Sequence, residues 1–388
     1  MKLIALMFAP FAFTTGAFVF SGVLEPMAAE LDVSVASVAT LQSAFAIACA
    51  LCGPVLAQLT RRLPPRPLLL SVLALLVLLN GASAAVSEFR LLFALRVLVG
   101  GIGALAFPLA TVLAVSSSDP EARGKAVSII YAGIPMALIL GIPLGAVAGN
   151  AAGWPASFLV ATGICASALV LVWRFVPPVA AQAPATGGTA INAGIVAHLG
   201  VTFFAACGLF AMVGLIGPII RATTGFDGAG IATIQFLAGV SSLAGVRVGA
   251  WLLQHGVRQA LLVPFLFLCL SLVLVWWPLS QELAGLIGVA GMVASVCFGP
   301  SAQSATGVLV QSRLAGLAGP NATLVFALNG SMIYLGQGLG IVIGAAAMTR
   351  AGLQAAPLAG LAAALPGIAL ALLIPRSLTN TRSKKEAD

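Results

Sequence analysis

Residues 68–114 read LLLSVLALLVLLNGASAAVSEFRLLFALRVLVGGIGALAFPLATVLA, and the fold class follows from this stretch. It holds two apolar runs, 68–86 and 90–114, which are separated only by Ser87, Glu88 and Phe89. A helix of about 20 apolar residues spans the hydrocarbon core of a bilayer. The stretch therefore predicts two membrane-spanning helices joined by a tight turn.

The composition of the whole chain agrees with a lipid environment. Of its 388 residues, 61% are hydrophobic and 7% are charged, and the mean hydropathy is +1.13. Soluble domains carry about 25% charged residues, so water could not solvate this surface. The same count of apolar runs predicts ten further spans, at 3–24, 34–59, 125–149, 154–175, 194–220, 229–250, 259–278, 282–309, 323–348 and 355–374. We therefore predict an all-α membrane protein with twelve transmembrane helices.

The twelve spans divide into two groups of six. A Pro/Ala/Gly-rich stretch begins at Pro177 and has the composition of a flexible linker. We predict a first half at 1–176, a cytoplasmic linker at 177–193, a second half at 194–375 and a cytoplasmic tail at 376–388. FPLA at 107–110 resembles FGPSA at 298–302, about 190 residues later. Two pseudo-symmetric six-helix halves are typical of one large transporter architecture.

Basic residues predict the orientation. With both termini in the cytoplasm, the outer side holds only Arg90, Arg221 and Arg350 of the 18 Lys and Arg residues. This asymmetry follows the positive-inside rule and predicts a multi-pass protein of the bacterial inner membrane. It also accounts for the net charge of +8, and no basic stripe interleaved with aromatic residues indicates nucleic acid as a partner. The expected partners are the lipid bilayer and a small-molecule substrate.

Three short motifs lie at defined places among these spans. The loop after the second span reads AQLTRRLPPR over 57–66, with Arg61, Arg62 and Arg66 as its basic residues. The fourth span carries RVLVGGIG over 96–103, and the next loop reads DPEARGKA over 119–126. In order and placement these motifs resemble the major facilitator superfamily, in the twelve-helix drug:proton antiporter branch that includes arabinose-efflux-permease-like sugar exporters.

The resemblance covers essentially the whole chain. It implies transport by alternating access of the two halves, a proton gradient as the energy source with no bound cofactor, and a monomer. The loop at 57–66 departs from the family pattern, because Arg61 stands where the family has an acid that helps to latch the halves on the inner face. We therefore expect a different or weaker latch here, and ordinary positive-inside charge explains the loop as an alternative.

The fifth span resembles a glycine–proline motif associated with exporters. Its members are Gly133, Gly141, Pro143, Gly145 and Gly149. Glycines let a helix lie flush against a neighbour, and proline bends it. We place that neighbour in the other half, where the seam would close an outer gate. Generic packing of small residues is the alternative.

Arg96 lies about two turns inside the fourth span. An arginine there costs about 2.5–3.5 kcal/mol even on the lenient insertion scale, so it needs a polar cavity or a partner. Snorkelling outward toward Arg90 is the alternative. The resemblance implies a role for Arg96 in substrate binding or proton movement.

Other polar residues within the spans suggest a lined cavity. A polar group in a membrane span needs a partner or water. We predict a lining from Arg96 together with Gln42, Gln235, Gln303, Asn329 and Tyr334, and an apolar wall from Phe18, Phe107, Phe203 and Phe204. Hydrogen bonding between helices is the alternative for Asn329 and Tyr334.

The ten acidic residues all lie outside the deep membrane by these spans. Proton antiport needs a protonatable group that is exposed to each side in turn. Glu25, at the outer end of the first span, is the best candidate, and our hypothesis is that it couples protons by pairing with Arg96. A solvated loop acid is the alternative for Glu25, and His198 has the position of an interfacial histidine.

These observations favour secondary export of a drug, sugar or metabolite, with proton coupling. An importer or passive facilitator of the same fold is the alternative, since the latch is altered and no deep acid is present. A substrate without positive charge, neutral or anionic, fits the absence of a cavity acid. No metal cluster, catalytic triad or Walker A sequence indicates an enzyme or an ATP-driven pump, and Cys49 and Cys52 fit packing rather than metal binding.

Overall fold

The computed structural model of the chain describes residues 1–60, 62–119, 122–178, 192–255, 259–318 and 322–374. All regular structure within these ranges is helical. The predicted linker falls largely on 179–191 and the predicted tail on 376–388, and both of these segments lie outside the described residues.

The first half of the chain is built from ten α-helices and one π-helical segment. They are α1 (Lys2–Phe18), α2 (Leu24–Glu30), α3 (Val35–Thr60), α4 (Pro65–Ala85), α5 (Phe89–Gly103), α6 (Ala106–Ser116), α7 (Arg123–Tyr131), α8 (Gly133–Met136), the π segment (Ala137–Gly141), α9 (Ile142–Ala152) and α10 (Pro155–Phe175).

The second half is built from seven α-helices. They are α11 (Ala193–Val213), α12 (Ile216–Thr224), α13 (Ala229–Gln254), α14 (Leu262–Ser280), α15 (Leu286–Ala318), α16 (Ala322–Ala351) and α17 (Ala355–Leu373).

Several predicted spans contain more than one helix. Eleven continuous helical stretches within the described ranges are long and apolar enough to cross a membrane, and α1 is a shorter apolar helix. The first predicted span breaks after Phe18 into α1 and α2, and the seventh breaks after Val213 into α11 and α12. These breaks fall at equivalent places in the two halves, as the predicted pseudo-symmetry requires.

With α1 counted as a span, the helical stretches of the described ranges return the chain to its starting side. We call the side that carries Lys2, the turn between α3 and α4, and the end of α17 the terminal face. The opposite side, which carries α2, α12 and the turn between α9 and α10, is the distal face. The predicted orientation would make the terminal face cytoplasmic.

Each half has its own apolar core. Two clusters of buried side chains draw all their buried members from Ala5–Val176, and a third draws its members from Ile195–Ala371 with the single addition of Ala39. Within the second half, α16 lies directly on α11, because Gly336, Gly340 and Gly344 face the carbonyls of Phe203, Cys207 and Ala211. A Cβ atom at Gly344 would lie 1.9 Å from the Ala211 carbonyl oxygen, so only glycine permits this approach.

Candidate translocation site

The two halves meet along a seam formed by α1, α3 and α9 on one side and α13 and α16 on the other. Ser43 Oγ donates a hydrogen bond of 2.8 Å to the carbonyl of Gly338, and Gln235 Nε2 donates one of 2.9 Å to Ser21 Oγ. Aromatic pairs also cross the seam. The rings of Phe18 and Phe210 stack with centroids 5.8 Å apart, and those of Phe13 and Tyr334 meet edge-on at 6.2 Å.

Backbone contact seals the seam toward the distal face. A Cβ atom at Gly217 would lie 2.6 Å from the carbonyl oxygen of Ser21, and one at Gly239 would lie 2.8 Å from the backbone nitrogen of Ile139. Gly22 likewise faces Ala146 and Ile231. Such spacing leaves no room for water or solute, so the pathway is closed on this side.

Toward the terminal face the seam loosens. The outer part of α3, from Ala36 to Ala50, is largely buried, whereas none of its residues from Leu51 to Thr60 is fully buried. Tyr131 on α7 is exposed and comes within reach of Gln311 on α15, so flexible side chains rather than backbone span the halves there. Along α3, the seam is therefore more exposed toward the terminal face than toward the distal face.

Arg96 lies inside the first half rather than on the seam. Its side chain is fully buried, and its guanidinium donates to the carbonyl of Gly16 (3.1 Å), Asn80 Oδ1 (3.1 Å) and Ser83 Oγ (2.9 Å). Its Cζ also lies 4.9 Å from the ring centroid of Phe158. These contacts join α5 to α1, α4 and α10, and none of them involves a carboxylate.

The break in the first span helps to create this arrangement. Gly16 lies in the last turn of α1, where carbonyl groups lack a partner further along the helix. Its carbonyl is thus available to Arg96, and the Asn80 amide lies beside it, 3.6 Å from the Cβ position of Gly16. Hydrogen bonds and a cation–π contact thereby compensate for the buried charge without an ion pair.

Glu25 is found at the distal face, in the first turn of α2. It forms an ion pair with Arg221 on α12, and Arg221 Nε also donates to Asp227 Oδ1 at 2.6 Å. The predicted contact between Glu25 and Arg96 is therefore not formed. The physical reason is that α1 ends at Phe18 and the chain turns before α2, which carries Glu25 to the membrane surface.

The glycine–proline motif packs within its own half. Gly133, Gly141 and Gly145 face Met7, Thr15 and Val19 of the first span, and Gly149 faces Ser157 and Val23. Our prediction that these glycines contact the other half was wrong, because the seam uses a different side of the same span, at Leu138 and Ile139. Pro143 starts α9 directly after the π segment, where its missing N–H interrupts the helical hydrogen bonds.

Three of the predicted lining residues lie at or near the seam. Gln42 is fully buried on α3, and neither its Oε1 nor its Nε2 has a hydrogen-bond partner. Gln235 bonds Ser21 through Nε2 and leaves Oε1 unpaired, and Tyr334 meets Phe13. The Gln42 and Gln235 amides thus present hydrogen-bonding atoms that the protein itself does not satisfy.

The other predicted lining residues contact neighbours within their own half, and Gln303 Oε1 has no hydrogen-bond partner. Asn329 Oδ1 accepts a 2.7 Å hydrogen bond from Thr202 Oγ1, which links α16 to α11. Gln303 lines a narrow crevice with Phe265 and Thr306. The remaining three are aromatic: Phe107 packs edge-on against Tyr131, Phe203 packs against Phe204, and Phe204 faces Gly367 of α17. For Asn329 the interhelical alternative is therefore what the structure contains.

The basic loop after α3 contacts its own half where it is described. Arg61 lies outside the described residues, and Arg62 is exposed. Arg66 Nη2 donates a 2.8 Å hydrogen bond to the carbonyl of Trp173, at the end of α10. Arg66 thus ties α4 to α10 and does not reach the second half.

Several seam residues escaped the sequence analysis. Ser21, Ser43 and Phe210 carry no motif, and serine is common in membrane helices as a packing residue. Arg221 was counted only for its charge. The structure places Arg221 just beyond the break in the seventh span and Glu25 just beyond the break in the first, and no sequence pattern marks either break.

Two six-helix halves around a seam that is closed on one face define a polytopic membrane transport protein with a small-molecule substrate. The chain belongs to the major facilitator superfamily, whose family model matches residues 6–322.

Named relatives and solved structures are consistent with this membership. The chain is 30% identical over 285 residues to a chloramphenicol resistance protein of Streptomyces lividans, which covers 70% of each chain. It is 24% identical to a probable sugar efflux transporter of Mannheimia succiniciproducens, covering 91% of this chain and 88% of the relative. A bacterial homolog of the human lysosomal transporter Spinster superposes with a TM-score of 0.77 at 15% identity, covering 96% of each chain.

Proposed function

We propose that this protein exports a small uncharged molecule from the cytoplasm by alternating access of its two halves. The observation that carries the proposal is the asymmetry of the seam, which is closed by backbone contact near the distal face and loose near the terminal face. In this state a solute enters from the terminal face, which the distribution of basic residues assigns to the cytoplasm. Relatives named for chloramphenicol resistance and sugar efflux favour the outward direction.

The uncharged nature of the substrate follows from the side chains at the seam. Arg96, the one cation predicted in the cavity, is enclosed in the first half with its guanidinium bonded to protein groups. Unpaired polar atoms on the helices that form the seam include those of the Gln42 and Gln235 amides. Amides both donate and accept hydrogen bonds, and a buried unpaired amide costs about 1–3 kcal/mol. A neutral solute with hydroxyl or amide groups would recover that cost, with Phe13, Phe18 and Phe210 packing on its apolar parts.

Proton coupling by Glu25 has little geometric support. A coupling carboxylate must be open to one side of the membrane and then to the other. Glu25 has 35% of its side chain exposed at the distal face while that face is closed to solute. The described acids also include Glu88, Asp119 and Glu282, which stand at helix ends or in turns.

His198 is the better candidate for coupling. It is fully buried within the protein in the second turn of α11, with its Nδ1 2.7 Å from the Gly194 carbonyl oxygen and its Nε2 unpaired. The second candidate function is a facilitator without proton coupling. It is favoured because the acids described above lie at the distal face, at helix ends or in turns.

Proteoliposomes that enclose a pH-sensitive dye test these proposals. Chloramphenicol and neutral sugars serve as uncharged probes, and a quaternary ammonium compound serves as the charged control. Flux of an uncharged probe with proton movement, lost in His198→Gln and kept in Glu25→Gln, supports coupled export. Flux without proton movement supports the facilitator, and flux of the cation alone contradicts the assigned substrate class.

A further inference from the structure

The lipid-facing surface of the first half carries a groove between α4 and α10. It has a volume of about 490 Å³ and is lined by Leu70, Ser71, Ala74, Leu169, Val170 and Trp173. Small residues on α4 form its floor, and Val170 and Trp173 are 57% and 65% exposed along its wall. All six residues lie within about two and a half turns of the terminal face, because α4 begins at Pro65 and α10 ends at Phe175.

Positive charge gathers at the end of this groove. Arg66 lies in the first turn of α4, and Arg174 lies in the last turn of α10, with its Cζ 5.5 Å from the Phe175 ring centroid. Arg66 donates one N–H to the carbonyl of Trp173. This hydrogen bond holds the guanidinium of Arg66 beside the groove. A guanidinium has five N–H donors, so most remain for a ligand. Both ion pairs within the described ranges are at the distal face, so neither arginine is neutralised by an acid there.

We propose that this groove binds an anionic phospholipid of the leaflet on the terminal face. One acyl chain lies along the apolar floor, and the phosphate is held by Arg66 and Arg174. Tryptophan favours the level of the lipid headgroups, which places Trp173 at the boundary between the two parts of the ligand. Each basic residue next to a membrane helix raises the affinity for an anionic lipid about fivefold.

The bound lipid would act on the helix that supports Arg96. Asn80 and Ser83, which accept from Arg96, are both on α4. A lipid that bridges α4 to α10 would hold these acceptors in place from the outside of the bundle. The inference is independent of the transported solute and of the direction of transport.

Native mass spectrometry of the full-length protein in detergent tests the inference, with dioleoylphosphatidylglycerol as the anionic probe and dioleoylphosphatidylcholine as the neutral one. We expect phosphatidylglycerol to bind more tightly, and the double variant Arg66→Gln/Arg174→Gln to weaken it by about 30-fold. Glutamine retains a donor for the Trp173 carbonyl. Ala74→Phe fills the groove and keeps both charges, so it should also lose the lipid.

Matched variants separate the groove from general effects. Ala82→Phe adds the same bulk on the same helix at an exposed site outside the groove, and Arg90→Gln removes a positive charge from the distal face. Both should bind lipid as the unmodified chain does, and glycerophosphoglycerol, which lacks acyl chains, should not compete. Equal binding of the two lipids, or unchanged phosphatidylglycerol binding in either Ala74→Phe or the double arginine variant, would overturn the proposal.

Discussion

Glu25 and Arg221 form an ion pair that joins the two halves of the transporter at the distal face. Glu25 belongs to α2 and Arg221 to α12, the short helices that follow the breaks in the first and seventh spans. Asp227, which is also in the second half, forms an ion pair with the same arginine. Arg221 therefore stays with the second half when the distal face opens. The pair can exist only while the distal face is closed, and it therefore favours that state.

Removing the pair should shift the protein toward the distal-open state by a modest amount. The two side chains are 35% and 29% exposed, and pairs of this kind are worth about 0.2–1 kcal/mol. We expect Glu25→Gln to raise the distal-open population by up to about fivefold. The rate at which a membrane-impermeant maleimide labels Ala39→Cys, a buried seam position, reports this population after replacement of the native cysteines. In a double-mutant cycle, adding Arg221→Gln to Glu25→Gln should speed labelling little further, and an additive increase would contradict the pair's role.

Arg96 should matter first for stability. Arg96→Ala removes three hydrogen bonds and a cation–π contact and leaves Asn80, Ser83 and Gly16 with unpaired buried acceptors, at a cost of about 3 kcal/mol. We expect the melting temperature of the protein in detergent to fall clearly, and tryptophan fluorescence measures it. The melting temperature of Arg96→Lys should fall less, since lysine keeps the charge and one or two of the hydrogen bonds. A variant that melts like the unmodified chain and yet fails to transport would instead support the direct role that the sequence suggested.

Glycine at the seam should be required for closure of the distal face. A Cβ atom at Gly239 would lie 2.8 Å from the backbone nitrogen of Ile139. One of the two helical segments would have to move to make room for it. We expect Gly239→Ala to favour the distal-open state and to slow transport by about tenfold or more, as measured by solute flux in proteoliposomes and labelling of Ala39→Cys. Gly330→Ala is the matched control, because nothing lies within 4 Å of its Cβ position. Equal behaviour of the two variants would argue that the seam tolerates the added methyl group.

Gln42 should connect stability to substrate binding. Its buried amide has no partner, so Gln42→Leu removes an unsatisfied polar group and should raise the melting temperature without substrate. If the amide bonds the solute, the same variant should bind it about tenfold more weakly, measured by isothermal titration with the transported probe. Unchanged affinity would place Gln42 outside the binding site.

The fold could be predicted largely because bilayer thickness sets helix length, so apolar runs such as 34–59 correspond to single helices. The site could be predicted only in part. Arg96 was identified by its cost in a membrane, yet its partners depend on where α1 ends, and no pattern in 3–24 announces the break after Phe18. The same break directs Glu25 to Arg221 on α12 rather than to Arg96. The glycines of the fifth span predicted close packing correctly, but a glycine stripe does not specify which helix lies against it.

Distances across both faces, measured on one preparation, test the central claim of alternating access most directly. Spin labels at Gln58 and Gln254 report the terminal face, and labels at Glu88 and Glu282 report the distal face; all four positions are exposed. Pulsed electron resonance in nanodiscs with and without a transported probe gives the distance distributions. Alternating access predicts that the terminal distance shortens in the same population in which the distal distance lengthens. The account would be contradicted if the terminal and distal distances both shortened or both lengthened, or if neither responded to a probe that the protein transports.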